Sequence, residues 1–174
     1  MKFPMILIAG IFVAGSAMAD EAATVDPQTE NGAVKITWQE PKKFRDIKSS
    51  GELQSRFENR MFETLTKELN KEASKSLKPS QKLELVVTDV DMAGDMRPTF
   101  GATANDLRVV KEIYPPRISF SYQVLDGDQV VIAGDEKLTN LNFMNEIRSV
   151  NDRPFSHEVR LLTQWFEKQV APKL

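Results

Sequence analysis

Residues 117–137 predict a β-hairpin, which is the strongest constraint on the fold. Apolar residues alternate with polar ones from Arg117 to Leu125, as in a strand with one buried face. Asp126-Gly127 follows, a residue pair that tight hairpin turns prefer, and the chain returns over residues 130–137. The chain therefore contains antiparallel sheet.

Three further strands are predicted outside the hairpin. Residues 33–38 alternate between apolar and polar side chains, and residues 82–90 are rich in β-branched residues. Residues 107–113 are a weaker strand. Between the last two segments, residues 91–106 predict a long loop, and loops of that length in compact domains often carry function.

A long amphipathic helix is predicted after Ser49. Ser49 and Glu52 have the spacing of a capping box, and apolar residues then recur at intervals of four from Leu53 to Leu77. A four-residue repeat winds around a helix of 3.6 residues per turn, so one flat sheet cannot cover the whole stripe. We expect this helix to bend, to fray near Ala73 or to contact a partner at one end.

A second amphipathic helix is predicted from Pro154. Trp38 in the first predicted strand and Trp165 in this helix are predicted to be core anchors. The order of elements predicts the α+β class. We expect an antiparallel sheet of four to five strands, with a long N-terminal helix and a C-terminal helix packed on one face. Residues 33–174 are interpreted as a single domain.

The N-terminal residues predict export. Lys2, the apolar run that follows it, and the small residues Ala17 and Ala19 have the pattern of a signal peptide cleaved after Ala19. The apolar run is too short for a transmembrane helix, and no cysteine follows that could carry a lipid anchor. We expect a signal peptide over residues 1–19, a flexible acidic leader over residues 20–32, and a periplasmic mature protein.

Composition narrows the chemistry. The formal net charge of −2 argues against a nucleic-acid partner, which would need a basic surplus. The sequence has no cysteine and one histidine, which excludes thiol catalysis, thiolate zinc sites and sites with several histidines. His157 is interpreted as a helix-start or surface residue. We expect neither a cofactor nor a resident metal.

Asp89, Asp91 and Asp95 form the most suggestive cluster. Carboxylates at alternate positions near a glycine can converge on a hard cation, although the bidentate glutamate of a calcium-binding loop is missing. Asp91 and Asp95 could instead act as the acid and base of a hydrolase. The simpler interpretation is a strand end whose acidic residues cap a turn.

Three arginines accompany this cluster in the sequence. Arg97, Arg108 and Arg117 could hold an anionic ligand through paired guanidinium contacts, or could form ion pairs with the nearby aspartates. No residue is predicted to be catalytic. The candidate binding residues are Asp89, Asp91, Asp95, Arg97 and Arg117.

Several strings in the chain resemble one family when they are taken together. They are TWQEP at residues 37–41, VTDVDMAGD at residues 87–95, RVVK at residues 108–111, YPPRI at residues 114–118 and NFM at residues 142–144. They are similar to an exported Gram-negative family catalogued as domain of unknown function 3016. The resemblance implies a periplasmic location and supplies no activity, so it carries over no catalytic residue.

Three hypotheses follow. The leading one is a non-enzymatic periplasmic protein that binds another cell-envelope component, with strand addition at an exposed sheet edge as one docking mode. The first alternative is a protein that binds a small ligand or a divalent cation through Asp89, Asp91 and Asp95, or a small anion through Arg97 with Arg117. The second alternative is a carboxylate-dependent hydrolase.

Overall fold

The computed structural model describes residues 25–99, 106–145 and 153–174. The predicted signal peptide and the first part of the predicted leader, residues 20–24, lie outside the described residues. Residues 100–105 of the predicted long loop also lie outside them.

The described residues form the strands β1 Gln28–Asn31, β2 Val34–Trp38, β3 Gln81–Asp91, β4 Asp95–Arg97, β5 Leu107–Val109, β6 Arg117–Asp126 and β7 Gln129–Thr139. The main sheet has five of them in the order β1-β2-β3-β6-β7. A separate antiparallel ribbon contains β4 and β5. The predicted α+β class is confirmed, and so is the hairpin, because β6 and β7 pair antiparallel around a two-residue turn.

The expected antiparallel arrangement holds for three of the four strand pairings of the main sheet and is wrong for one. β2 and β3 pair in parallel, with Val34 beside Leu83 and Trp38 beside Val87. Parallel neighbours need a crossover connection, and the helix between these strands provides it. Periodicity in the sequence shows where strands lie but not which way they run.

The first helix, α1, spans Gln54–Ala73 and is shorter than predicted. The chain turns at Ala73, whose carbonyl oxygen accepts hydrogen bonds from the backbone N–H groups of Ser76 and Leu77. At the other end, the predicted cap lies too early, since the N-cap residue is Leu53. The apolar repeat therefore extends beyond the helix at both ends.

Both helices cover the same face of the sheet. The stripe of α1 is buried from Phe57 to Ala73 between β1 and β2 on one side and the second helix on the other. A partner is therefore not required to cover this stripe, because two surfaces of the same chain cover it. Only Leu53, just before the helix, is exposed.

The second helix, α2, spans Ser156–Trp165 and continues as a π-helical stretch, Phe166–Val170. It begins after Pro154 because Phe155 has a left-handed φ of 62°, which interrupts the helix there. The Phe155 ring packs edge-on against Phe57 of α1, with the ring centroids 5.3 Å apart. This contact joins the two helices across the core.

Trp38 links the sheet to α1. Its ring stacks on that of Phe62, with the centroids 4.1 Å apart and the planes 12° from parallel. The Trp38 Nε1–H group donates a 2.9 Å hydrogen bond to Thr29 Oγ1, and the Thr29 hydroxyl lies 2.5 Å from that of Thr66. Trp38 is therefore a core anchor, as expected.

Part of the predicted leader is strand β1. The Asn31-Gly32 pair lies at the turn into β2, and Gly32 has a positive φ of 56°. Asn70 of α1 holds this turn through two hydrogen bonds, each 3.0 Å long. Its Oδ1 accepts the Ala33 N–H, and its Nδ2 donates to Asn31 Oδ1. β1 could not be predicted from the sequence pattern, because its residues are polar. The contacts that hold it in place are these hydrogen bonds to residues distant in the sequence.

Four residues of the predicted loop over residues 91–106 lie in strands. β3 continues to Asp91, and β4 pairs with β5 over Asp95 to Arg97. The ribbon requires Gly94, whose φ is 93°, because a Cβ atom there would lie 2.8 Å from the Val109 carbonyl oxygen. The strand predicted over residues 107–113 is the short β5 of this ribbon and lies outside the main sheet.

We expect the Trp38→Ala substitution to lower the free energy of unfolding by about 3–5 kcal/mol, because it leaves a cavity beside Phe62. Trp38→Phe keeps most of the ring contact and loses the bond to Thr29, so its cost should be smaller, about 1–2 kcal/mol. Urea unfolding followed by circular dichroism measures both values. Lys35→Ala, on the other face of β2, is the control, and equal losses for Trp38→Ala and Lys35→Ala would contradict the prediction.

Candidate functional site

A polar cleft of about 250 Å³ opens where β3 ends and β6 begins. Three segments outside these strands complete it, the loop before α1, the start of β4 and the Tyr114-Pro115 pair before β6. We call it the arginine cleft and define it by Arg45, Lys48, Asp91, Asp95 and Arg117. It contains three of the five predicted binding residues.

Backbone pairing brings the loop before α1 to the cleft. The Asp46 N–H donates to the Val90 carbonyl oxygen over 3.1 Å, and the Met92 N–H donates to the Asp46 carbonyl oxygen over 3.0 Å. Asp46, which lies in none of the strands, thus forms a parallel bridge with Asp91, the last residue of β3. Phe44 is buried on one side of this bridge and anchors the loop.

The predicted aspartates of β3 are engaged with arginines. Asp89 Oδ1 accepts the backbone N–H of Arg45 over 2.8 Å. Asp91 Oδ2 lies 2.9 Å from Arg117 Nη1 and 3.5 Å from Arg45 Nη1. The two carboxylates therefore hold the loop before α1 and the start of β6 against the end of β3.

Asp95 and Arg97 pair with each other instead of with the β3 aspartates. Arg97 Nη2 lies 2.9 Å from Asp95 Oδ2 and donates a 2.6 Å hydrogen bond to the Tyr114 hydroxyl oxygen. The structure thus separates Arg97 from Arg117, since each is committed to a different carboxylate. Among the described residues, no group of three or more aspartate, glutamate, histidine or cysteine side chains could hold a metal ion.

Arg108 forms a structural ion pair beneath the cleft. Its guanidinium makes two bonds to the Asp46 carboxylate, of 2.9 and 3.0 Å, and a third of 3.0 Å to the Lys48 carbonyl oxygen. Both side chains are about 15% exposed, at 15% and 14%. Of the two uses predicted for Arg108, the structure shows the ion pair, which fastens β5 to the loop before α1.

Glu158 of α2 is a buried carboxyl that the sequence analysis missed. It is 2% exposed, and its Oε1 accepts the Ala93 N–H over 2.8 Å. Burial raises its pKa, the hydrogen bond from Ala93 and the charge of Arg108 oppose that rise, and the charge of Asp46 adds to it. The available signal was its spacing, because Glu158 lies three residues after Phe155 and four before Leu162, on the apolar face of the helix.

His157 lies in the first turn of α2, as expected. Its ring meets that of Phe143 edge-on, with the centroids 5.0 Å apart. Sequence reasoning also missed Arg45, Lys48 and Tyr114 as lining residues. No local pattern marks them, since Arg45 reaches Asp91 only through the fold.

Comparison with known proteins gives one match. A model of the family described as "Protein of unknown function (DUF3016)" matches residues 32–168, well over half of the chain, and takes in β2 to β7 and both helices. Neither a curated protein nor a solved structure matches. None of the helices within the described residues has the length and apolar character needed to span a bilayer.

We expect Glu158→Gln to be more stable than the wild type at about pH 8 and to lose this advantage towards about pH 4. Burial raises the pKa of Glu158 in the folded protein above its ordinary value of 4.5. Below pH 4.5 the wild type has the full stability that the protonated carboxyl allows. It therefore loses stability as the pH rises through the pKa that Glu158 has in the folded protein. Glutamine can still accept the Ala93 N–H and has no proton to release.

The measurement is the free energy of unfolding in urea as a function of pH. Glu167→Gln, an exposed change on the π-helical stretch after α2, should follow the pH dependence of the wild type. A difference between Glu158→Gln and the wild type that stays constant with pH would contradict the assignment.

Proposed function

The chain belongs to the DUF3016 family, and we propose that it is a non-enzymatic binding protein that docks another component of the cell envelope. The observation that carries the proposal is a set of three exposed aliphatic side chains that lie close together in the sequence, on and just after β5. We call this set the ribbon surface and define it by Leu107, Val110 and Ile113, which are 56%, 37% and 72% exposed.

Large aliphatic side chains scattered singly over a surface need no explanation, whereas a local group of them is typical of interaction sites. The ribbon surface groups three within one short segment of chain. The ribbon lies outside the main sheet, and these side chains are not part of the core. Their exposure to water is unfavourable for the isolated domain, and a docked partner would relieve it.

The ribbon is also held in place, which favours docking because less flexibility is lost on binding. Arg108 fastens β5 to Asp46, and Asp95 pairs with Arg97 within β4. Tyr114 adjoins the ribbon surface, and Arg97 lies over its ring at 5.8 Å. Arginine and tyrosine are enriched among the residues that dominate protein–protein binding energy, which supports a protein partner.

The sheet edges are less suited to docking. β7 is a long edge strand, but Glu136 stands opposite the buried Phe120 and so lies on the core-facing side. A strand added beside β7 would bury that carboxylate, a device that natural edges use against unwanted pairing. β1 at the other edge has four residues. These features favour the ribbon surface over strand addition.

The charge pairing supports the non-enzymatic part of the proposal. Asp91 and Asp95, the carboxylates considered for a hydrolase, each pair with an arginine, Arg117 and Arg97 respectively. Asp91 thus joins the end of β3 to the start of β6, and the charge of Asp95 is neutralised within β4. The same pairing gives the divalent-cation alternative no specific support.

We place this function in the periplasm, after cleavage of a signal peptide behind Ala19. In a Gram-negative host, the protein should be recovered from the periplasmic fraction with Asp20 as its first residue, as determined by mass spectrometry. Ala19→Leu should block cleavage, because signal peptidase needs a small residue there, and should leave a longer precursor. Recovery of an intact chain that begins at Met1 from the cytoplasmic fraction would contradict the proposal.

The docking surface is tested by crosslinking in intact cells and purification of the tagged protein. We expect an envelope protein to co-purify with the wild type and its yield to fall about tenfold with Ile113→Ser. Val130→Ser is the matched control, because Val130 is 49% exposed and lies at the hairpin turn, at the opposite end of β6. Both exposed changes should leave the melting temperature close to that of the wild type.

Equal recovery of the envelope protein with Ile113→Ser and Val130→Ser would reject the ribbon surface as the docking site. Failure to recover any envelope protein with the wild type would reject the binding function itself.

A further inference from the structure

Three cationic side chains line the arginine cleft. Arg45 and Lys48 come from the loop before α1, and Arg117 comes from the start of β6. The parallel bridge between Asp46 and Asp91 joins the loop to the end of β3, and Asp91 is paired with Arg117 at the start of β6. The cleft, at about 250 Å³, is slightly smaller than typical drug-sized pockets and suits a small ligand or one chemical group of a larger one.

These cations retain hydrogen-bond donors. Arg117 uses Nη1 for Asp91, and its side chain remains 41% exposed. Arg45 lies 3.5 Å from Asp91 and 3.7 Å from Asp89, beyond the usual N–H···O distance. The Lys48 ammonium makes neither a hydrogen bond nor an ion pair within the part of the chain that the structure describes.

The charge balance of the cleft is positive. Arg108 neutralises the negative charge of the Asp46 carboxylate, and Arg97 neutralises that of Asp95. The three cations that remain, Arg45, Lys48 and Arg117, are opposed by the two carboxylates of Asp89 and Asp91. Among these side chains, with the buried Glu158 beside Arg108 left out of the count, the cations outnumber the carboxylates by one.

A neutral donor completes the cleft. The Tyr114 hydroxyl oxygen accepts a hydrogen bond from Arg97, which leaves the hydroxyl proton available for an acceptor in the cleft. Guanidinium, ammonium and hydroxyl donors with a surplus of positive charge are suited to an acceptor-rich anion.

We propose that the arginine cleft binds an oxyanion, a carboxylate or phosphate group, between Arg45 and Arg117 with Lys48 at its side. Guanidinium groups match the paired oxygens of these anions, and Lys48 adds a mobile point charge. Arg97, considered for this role from the sequence, instead orients Tyr114. The site goes beyond the docking function and does not depend on the ribbon surface.

The test measures the melting temperature of the purified mature chain with inorganic phosphate, with citrate and with a short polyglutamate peptide. Sodium chloride at matched ionic strength is the reference. A ligand that binds only the folded state raises the melting temperature, here by about 2 °C or more at saturating concentration. Phosphate and citrate represent a free ion, and the peptide represents a carboxylate carried by a partner protein.

Arg45→Gln is the test variant because its side chain is 60% exposed and its ion pairs are long, so its own melting temperature should stay near that of the wild type. Lys48→Gln replaces it if Arg45→Gln fails to fold. Lys168→Gln, exposed on the C-terminal helix, is the control because it removes the same charge elsewhere. Titration calorimetry should show about tenfold weaker binding for Arg45→Gln and wild-type binding for Lys168→Gln.

A shift with phosphate or citrate that Arg45→Gln removes supports the site with a free ion as its ligand. A shift with the peptide alone, again removed by Arg45→Gln, supports a carboxylate carried by a partner. The absence of any shift overturns the proposal, as does a shift that Arg45→Gln and Lys168→Gln reduce equally. Either negative result leaves the docking function standing if Ile113→Ser still loses the envelope protein.

Discussion

The parallel pairing of β2 with β3 requires the chain to cross the sheet between them, and α1 makes that crossing. The helix returns the chain to the start of β3 and covers the core face on its way. Before the helix begins, the chain must pass the far end of β3. Arg45, Asp46 and Lys48 lie on that passage, so the arginine cleft and the anchor for Arg108 both follow from the crossover.

At this end of the sheet, ionic and polar contacts hold the ribbon in position, whereas apolar packing holds the other elements together. The β4–β5 ribbon buries little apolar surface, and its position depends on Arg108 with Asp46 and on the contact between Ala93 and Glu158. Buried ion pairs and buried carboxyls are costly to form but demanding in geometry. The ribbon is thus fixed while its aliphatic side chains remain in water, which is the arrangement that the proposed docking function requires.

Much of the fold can be predicted because it is local. Alternation from Arg117 to Leu125 reveals β6, and the apolar stripe reveals α1, since each pattern reflects one buried face of one element. The parallel direction of β3 and the polar strand β1 are hidden, because both depend on partners distant in sequence, such as Asn70. For the same reason, only part of the arginine cleft can be predicted from the sequence. Asp91 and Arg117 stand out as charges at strand ends, whereas Arg45 gains its role only through the Asp46 bridge.

The two kinds of strand pairing in this sheet differ in the length of chain that must be ordered before they can form. The β6–β7 hairpin closes across a two-residue turn, which costs little chain entropy, so its contacts can form early in folding. The β2–β3 contact must wait until the chain between Trp38 and Gln81 has been gathered in, with α1 in the middle. The arginine cleft shares that long closure, because it joins Arg45 and Lys48 to Asp91 and Arg117, and so the site depends on the slower of the two kinds of pairing.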